Sequence, residues 1–385
     1  MKPSEALESL RAWAVGACAR LLAHFLFRRI DLEGRDRIPK EGSVLVIANH
    51  ENNLVDPMLM LAFGAHPVRF LAKHTLFAHF LVRPLTWLVR AVAVYRKEDG
   101  GDARRNELVL ERTARRLIGG DVIGVFPEGV CHNDSRRRRL KAGPARVALW
   151  AAQQGGSRAV RVLPVGIHYA DKSRFRSDVA LLAGEPLRVD PDEPPRRLTE
   201  RMAAALEAVT LNAPSWTAAE AALRRAEVAA GVRDTAPPPL ERFRRLAAEV
   251  SAADPEAPLS DLPRWADLPV ETPVLGRTLG WTLAALLTLP VAIVPLALTL
   301  LPAHMGRRTP DEPATRRLVA ALLFVPPLSL LHGILVAEPF GPFAGLAVCL
   351  MTPVALFVWA RAMDVWSDTR KAARLRHRQV LEPRT

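Results

Sequence analysis

Three stretches in the last third of the chain, residues 279–302, 318–336 and 343–360, contain no Asp, Glu, Lys or Arg. Runs of 24, 19 and 18 residues without a charge are long enough for helices that enter or cross a bilayer. The turn Ala337–Pro342 between the last two has no Lys or Arg. Arg316 and Arg317 precede the pair, and Arg370, Lys371, Arg374, Arg376 and Arg378 follow it. Basic flanks stay on the cytoplasmic side, so 318–336 and 343–360 are expected to form a hairpin with both ends cytoplasmic. Pro290 and Pro295 interrupt 279–302, and Arg277, Arg307 and Arg308 flank it. A re-entrant or interfacial helical pair is preferred there, because a single span would place basic residues on the wrong side.

The rest of the chain reads differently. Residues 187–270 are rich in Arg, Glu, Pro and Ala, and 385 residues suffice for two units with cores of their own. The formal net charge is +13. Beside apolar spans, that excess points to anionic lipid headgroups or phosphorylated substrates. Nucleic acid is disfavoured, because the chain has two Tyr and no basic stretch interleaved with aromatics. Cys18, Cys131 and Cys349 lie far apart with no metal-ligand spacing, so free thiols and no bound metal or cofactor are expected. Cys131 reads as a packing residue rather than a nucleophile. At the N-terminus, Arg20 and His24 share one face of an apolar-rich stretch from Ala12 to Phe27, with Val15, Leu22, Phe25 and Leu26 opposite. Such a helix lies in a membrane interface or packs on the following domain, and the sequence leaves both open.

Residues 30–195 read as α/β. Strands are expected at 43–48, 92–95, 122–126 and 160–165, with helices at 106–118 and 144–154 between them. That alternation predicts a mixed, largely parallel sheet covered by helices. Residues 196–270 read as a connector of amphipathic helices at 196–211, 217–230 and 239–252. The organisation expected is thus an N-terminal helix (1–29), an α/β catalytic domain (30–195), a helical connector (196–270) and a C-terminal α-helical membrane region with a basic tail (271–385).

The chemistry-bearing residues fall in six segments: Asn49–Pro57, Phe70–Lys73, Val94–Arg96, Val125–Gly129, Lys141–Gly143 and Leu163–Ile167. Within the first, Asp56-Pro57 reads as a helix start with Asp at the N-cap and Pro at N1. His50 and Asp56 then straddle a strand-to-helix turn. On one straight helix, six residues apart, they would point about 240° away from each other. A turn lets the carboxylate take the imidazole Nδ1–H and leaves Nε2 as a general base.

Taken together, the six segments resemble the glycerolipid acyltransferase superfamily, which includes glycerol-3-phosphate and lysophosphatidate acyltransferases. Five residues separate His50 from Asp56, where the widespread form of the motif has four. The longer form resembles a branch with microbial glycerol-3-phosphate and dihydroxyacetone-phosphate acyltransferases. The resemblance extends through Asp171–Ser177 and Gly184–Pro186 to about Asn212–Pro214.

By position it implies His50 as catalytic base and Asp56 as its orienting partner, with direct attack on an acyl thioester and no acyl-enzyme. It implies Arg96 at the acceptor phosphate, Glu128 at glycerol hydroxyls or positioning Arg96, and Gly129 permitting close backbone approach. Lys73 and Lys141 become further phosphate contacts, and Pro164 a wall of the acyl channel. The Arg136–Arg139 run matches no segment and reads as a solvated or headgroup-facing loop.

The activity implied is transfer of a fatty acyl group from acyl-CoA or acyl carrier protein to glycerol-3-phosphate or dihydroxyacetone phosphate. The setting is phosphatidic acid synthesis at a membrane, the inner membrane in a bacterium, with the catalytic domain facing the cytoplasm. Acylation of a lysophospholipid at sn-2 is the alternative within the class, and a non-catalytic membrane adaptor the alternative outside it.

Overall fold

The structure is a computed structural model that describes residues 3–39, 43–64, 67–78, 83–95, 103–155, 159–172, 174–229, 238–252, 275–305, 327 and 329–381. The chain folds as two compact units. One comprises residues 1–23, 31–168 and 179–212, and the other residues 24–30, 169–178 and 213–385.

Strand β2 (Ser43–Ala48) is buried at all six residues, because it lies inside a sheet covered on both faces. It pairs in parallel with β5 (Val122–Val125) on one side and β6 (Val160–Tyr169) on the other. Strand β3 (Val68–Lys73) joins β5 in parallel and carries β4 (Val92–Val94), also in parallel, on its far side. With β1 (Phe27–Glu33) and β7 (Ser177–Ala183), the order is β1-β7-β6-β2-β5-β3-β4, and the short β8 (Leu187–Arg188) runs antiparallel to β6.

Alternation along each strand sorts the core into two layers. On one face Leu45, Ile47, Ile123, Val125 and Val162 join a buried cluster with α4 (Ala103–Ile118), α5 (Gly143–Gln154) and α6 (Pro195–Glu207), which supply Leu117, Ala148 and Leu198. On the other, Val44, Val46 and Leu163 face α2 (Val55–Phe63) and leave an apolar cavity beside Met60, Phe63 and Leu181. Leu163 and Val165 line this cavity but Pro164 does not. Period-2 alternation turns Pro164 to the opposite face of the sheet from its two neighbours.

In the first unit the N-terminal helix α1 (Pro3–Leu26) packs in part and is exposed in part. Arg20 donates to the Ala62 carbonyl at 3.3 Å, whereas Leu7, Leu10, Trp13 and Leu21 are exposed. Neither sequence reading of this helix excludes the other.

The second unit contains α7 (Trp216–Ala229), α8 (Pro239–Ala252), α9 (Leu275–Met305), α10 (Ser329–Phe340) and α11 (Pro342–Leu381). The expected helical pair at 279–302 is one continuous helix, α9, which runs through Pro290 and Pro295. The expected turn Ala337–Pro342 shrinks to Gly341, whose φ of 88° ends α10 and whose N–H donates to the Ala337 carbonyl at 2.9 Å. Residues 318–326 and 328 of the expected span 318–336 lie outside the described residues. Among those described, one helix, Pro342–Arg370, is long and apolar enough to cross a membrane.

This unit departs from a simple C-terminal anchor, because residues 24–30 and 169–178 belong to it. Arg176, held at φ 60°, donates to Asp364 of α11 at 2.7 Å and to the Phe25 carbonyl at 3.0 Å, with both charged side chains under a tenth exposed. Arg28 pairs with Asp178 at 3.3 Å and with Asp368 of α11, and Arg29 pairs with Asp178 at 2.6 Å. Buried charges persist only when paired in this way.

One buried group makes stability depend on pH. His168, at the end of β6, donates from Nε2 to the Val209 carbonyl at 2.7 Å. Burial pushes its pKa from 6.5 down to about 4, opposed in part by that hydrogen bond. The unfolded chain therefore takes up a proton near 6.5 that the folded chain refuses until about 4. The stability present above 6.5 is lost as pH falls across that window. Denaturation midpoints at pH 7.5 and 4.5 check this. His168→Gln, which keeps a donor but does not titrate, should lose less stability over the interval than the wild type, and equal losses would refute the assignment.

Candidate active site

Strands β2, β5, β3 and β4 run parallel, so their C-terminal ends share one edge of the sheet, the usual place for ligands in such sheets. His50 follows β2, Lys73 ends β3 and Glu128 follows β5. Arg96 lies outside the described residues.

The turn after β2 is built around Asp56, which is wholly buried. Its Oδ2 accepts the Glu51 N–H at 2.9 Å, the Asn52 N–H at 2.8 Å and His50 Nδ1 at 2.8 Å. Two backbone donors fix the carboxylate, and the carboxylate fixes the ring. Because Asp56 only accepts, Nδ1 must carry the proton, and Nε2 keeps its lone pair. The His50 side chain is 15% exposed, enough to meet a substrate. This corrects the expected helix start. Leu54 is the N-cap of α2, Asp56 lies inside the first turn, and its side chain serves the preceding loop instead of capping the helix.

Two further contacts hold His50. Its ring stacks on Phe126 with centroids 4.0 Å apart, and Phe126 stacks in turn on Phe70 at 6.0 Å. Room for Phe70 comes from Gly124, where an added Cβ would meet the Phe70 ring at 2.6 Å. Asn49 clamps the base of the turn to β6: its Nδ2 donates to the Ile167 carbonyl at 2.9 Å and its Oδ1 accepts the Ile167 N–H at 2.8 Å. The side-chain amide thus extends the ladder where β2 ends.

On the neighbouring loop, Gly129 adopts φ 78° and donates its N–H to the Phe126 carbonyl at 3.0 Å. The stem of Lys141 lies over Gly129, its Cε 2.7 Å from where a Cβ would stand, and the Lys141 N–H donates to the Pro127 carbonyl at 2.8 Å. Lys141 is therefore brought to the Glu128-Gly129 turn. Glu128 is buried. Its Oε2 accepts the Arg138 N–H at 2.7 Å and pairs with His132 Nε2, while Oε1 is buried without a hydrogen-bond partner among the described residues.

Cys131 Sγ accepts the Asn53 N–H at 3.4 Å, and the His132 N–H donates to the His50 carbonyl at 3.1 Å, so this loop laces to the His50 turn. The arginine run is not simply solvated. Arg137 pairs with Glu207 at 2.6 Å, and Arg138 pairs with Asp134 at 2.5 Å. Among the described residues no group of three or more His, Cys, Asp or Glu is placed to hold a metal ion.

Sequence reasoning overlooked Asn49, Phe126 and His132 as site residues. Asn49 and Phe126 sit inside segments already singled out, and their position beside His50 and Glu128 was the available signal. His132 had only its four-residue spacing from Glu128.

The family model described as Acyltransferase matches residues 10–168. Glycerol-3-phosphate O-acyltransferase 2 of Saccharomyces cerevisiae is 36% identical over 104 residues, covering 24% of this chain and 14% of that protein. The 1-acyl-sn-glycerol-3-phosphate acyltransferase of Borreliella burgdorferi is 28% identical over 134 residues, covering 34% and 51%. The chain thus spans at most about half the length of either relative. The crystal structure of the 1-acyl-sn-glycerophosphate (LPA) acyltransferase PlsC from Thermotoga maritima aligns with a TM-score of 0.42 at 24% identity, covering 54% of this chain and 82% of that one.

Proposed function

Starting from an acyltransferase-family domain across residues 10–168, we propose that the chain moves a fatty acyl group from a thioester donor to the hydroxyl of a glycerol-3-phosphate-type acceptor. The observation that carries this is the His50–Asp56 pair, with Nδ1 committed to a buried carboxylate and Nε2 available. Nε2 takes the hydroxyl proton as the acceptor oxygen attacks the thioester carbonyl. The tetrahedral intermediate collapses, the C–S bond breaks, and the thiolate leaves with the proton returned by the imidazolium. No covalent enzyme intermediate is needed.

The acceptor phosphate is assigned to Arg96, with Lys73 and Lys141 as further cations, and the glycerol hydroxyls to Glu128 beside Gly129. A guanidinium fork suits a phosphate because it donates two parallel hydrogen bonds. The acyl chain is assigned to the apolar cavity under α2, lined by Val44, Val46, Met60, Phe63, Leu163 and Leu181. The donor is acyl-CoA or acyl carrier protein, and α11 supplies the attachment to the bilayer. A lysophosphatidate acceptor is the second reading, favoured by the match to about half of the Borreliella protein.

Purified protein assayed with radiolabelled glycerol-3-phosphate, dihydroxyacetone phosphate and lysophosphatidate distinguishes these acceptors, and inactivity on all three sinks the proposal. In the same assay Arg96→Ala should raise the KM for the phosphorylated acceptor by about tenfold or more, the scale of a lost charge-assisted hydrogen bond. The donor KM should stay nearly constant. Arg96→Lys should rescue only in part, because a point charge lacks the fork. Equal damage to both KM values would make Arg96 structural.

A further inference from the structure

A second histidine–carboxylate pair lies one loop away from His50 and takes no part in the proton transfer. We propose that His132 is a positioning residue: it holds Oε2 of Glu128 so that Oε1 is presented to a hydroxyl of the acceptor. This rests on the assignment of Glu128 to the acceptor.

The tautomer follows from the contacts. The Asp134 N–H donates to His132 Nδ1 at 3.2 Å, so Nδ1 carries the lone pair and Nε2 the proton. That proton can only be donated to Glu128 Oε2, the atom it faces. The Arg138 N–H converges on the same oxygen at 2.7 Å. Both donors therefore sit on Oε2, and Oε1 is left buried without one among the described residues.

A carboxylate oxygen shut away from water with no donor is costly, and a ligand hydroxyl is a donor that relieves it. The geometry is stiff, since the His132 and Glu128 side chains are 4% and 0% exposed. The His132 N–H is itself tied to the His50 carbonyl, so the acceptor-holding carboxylate and the base share one backbone frame. Asp134 Oδ2 stands 3.6 Å from Nδ1, too far for a hydrogen bond, and does not alter the tautomer.

The test is acceptor saturation kinetics on the full chain, using glycerol-3-phosphate or whichever of the three acceptors is turned over. His132→Ala should raise the acceptor KM about tenfold, leave the donor KM unchanged and change kcat by less than about threefold. His132→Gln, whose Nε2–H can still reach Glu128, should restore most of the affinity, and the shorter His132→Asn should not. In a Glu128→Gln background, His132→Ala should add less than about twofold, because its effect runs through that carboxylate.

If Glu128→Gln raises the acceptor KM but His132→Ala and His132→Asn do not, the positioning role is wrong while the Glu128 assignment stands. If Glu128→Gln itself leaves the acceptor KM unchanged, the assignment fails and the proposal with it. Additive effects in the double variant would mean a separate structural role and would also overturn it. Should His132→Ala fail to fold, equal acceptor KM values for the Gln and Asn variants would be decisive against it.

Discussion

Replacing His50 with Ala should lower turnover by about two to four orders of magnitude, the usual contribution of a positioned general base. Folding should survive, because the ring is partly exposed and Asp56 keeps its two backbone donors from Glu51 and Asn52. Asp56→Asn should also be severe for a related reason. An amide in the same place can turn an N–H toward Nδ1, which favours the wrong tautomer and moves the proton to Nε2, where the acceptor hydroxyl must deliver its own. The Asn variant also forfeits the charge that stabilises the imidazolium. The measurement is kcat at saturating donor and acceptor, with circular dichroism as the folding control. A His50→Ala protein that turns over any glycerol-phosphate acceptor at near-normal rate would exclude this mechanism.

Arg176→Ala should destabilise the second unit by about 3–5 kcal/mol, the range for breaking a buried ion pair from one side. The loss exceeds that of a surface pair because Asp364 would be left charged and 7% exposed, and because the carbonyl of Phe25 would lose its donor. Replacing both partners by apolar side chains of similar size, as in Arg176→Met with Asp364→Leu, should recover much of the loss. Urea denaturation followed by tryptophan fluorescence reads this out, since Trp359 and Trp366 flank Asp364 on α11. A single variant within about 0.5 kcal/mol of wild type would show that the pair contributes no more than a typical surface pair.

The contrast between these two sites also marks what the sequence could express. The strands β2 and β5 were legible because a strand buried on both faces needs an unbroken apolar run, and β6 because the exposed Arg161 alone interrupts an apolar one from Val160 to Ile167. Strands β1, β3 and β7 were not, since charges inside them break that pattern. Arg28 and Arg29 of β1 neutralise Asp178 of β7, and Arg69 of β3 pairs with Asp121 at 2.8 Å. Such pairs are invisible until the strands are neighbours.

The His50–Asp56 contact was readable because only a turn reconciles a six-residue spacing with a shared hydrogen bond. Its capping assignment failed because a short carboxylate can serve either its own helix or the loop before it, and three donors in the loop outweighed one in the helix. Asn49 gave no sign of its clamp, whose partner Ile167 is 118 residues away. Arg96, assigned here to the acceptor phosphate, lies outside the described residues.

The ion pairs of the second unit also set a timetable. Arg28 and Asp368 are 340 residues apart, and Arg176 and Asp364 are 188 apart. At about 5–20 residues per second, a ribosome makes Asp368 roughly 20–70 s after Arg28. Arg28 is without its α11 carboxylate throughout that interval, and Arg176 for the 188 residues before Asp364 is made. Strand β2 and its parallel neighbours, by contrast, are complete once β6 has emerged. The sheet around His50 can thus assemble while the chain is still being made, whereas β1 and the segment 169–178 acquire their last partners only when α11 arrives. In this protein the arrival of α11, rather than the making of the sheet, fixes when the second unit closes.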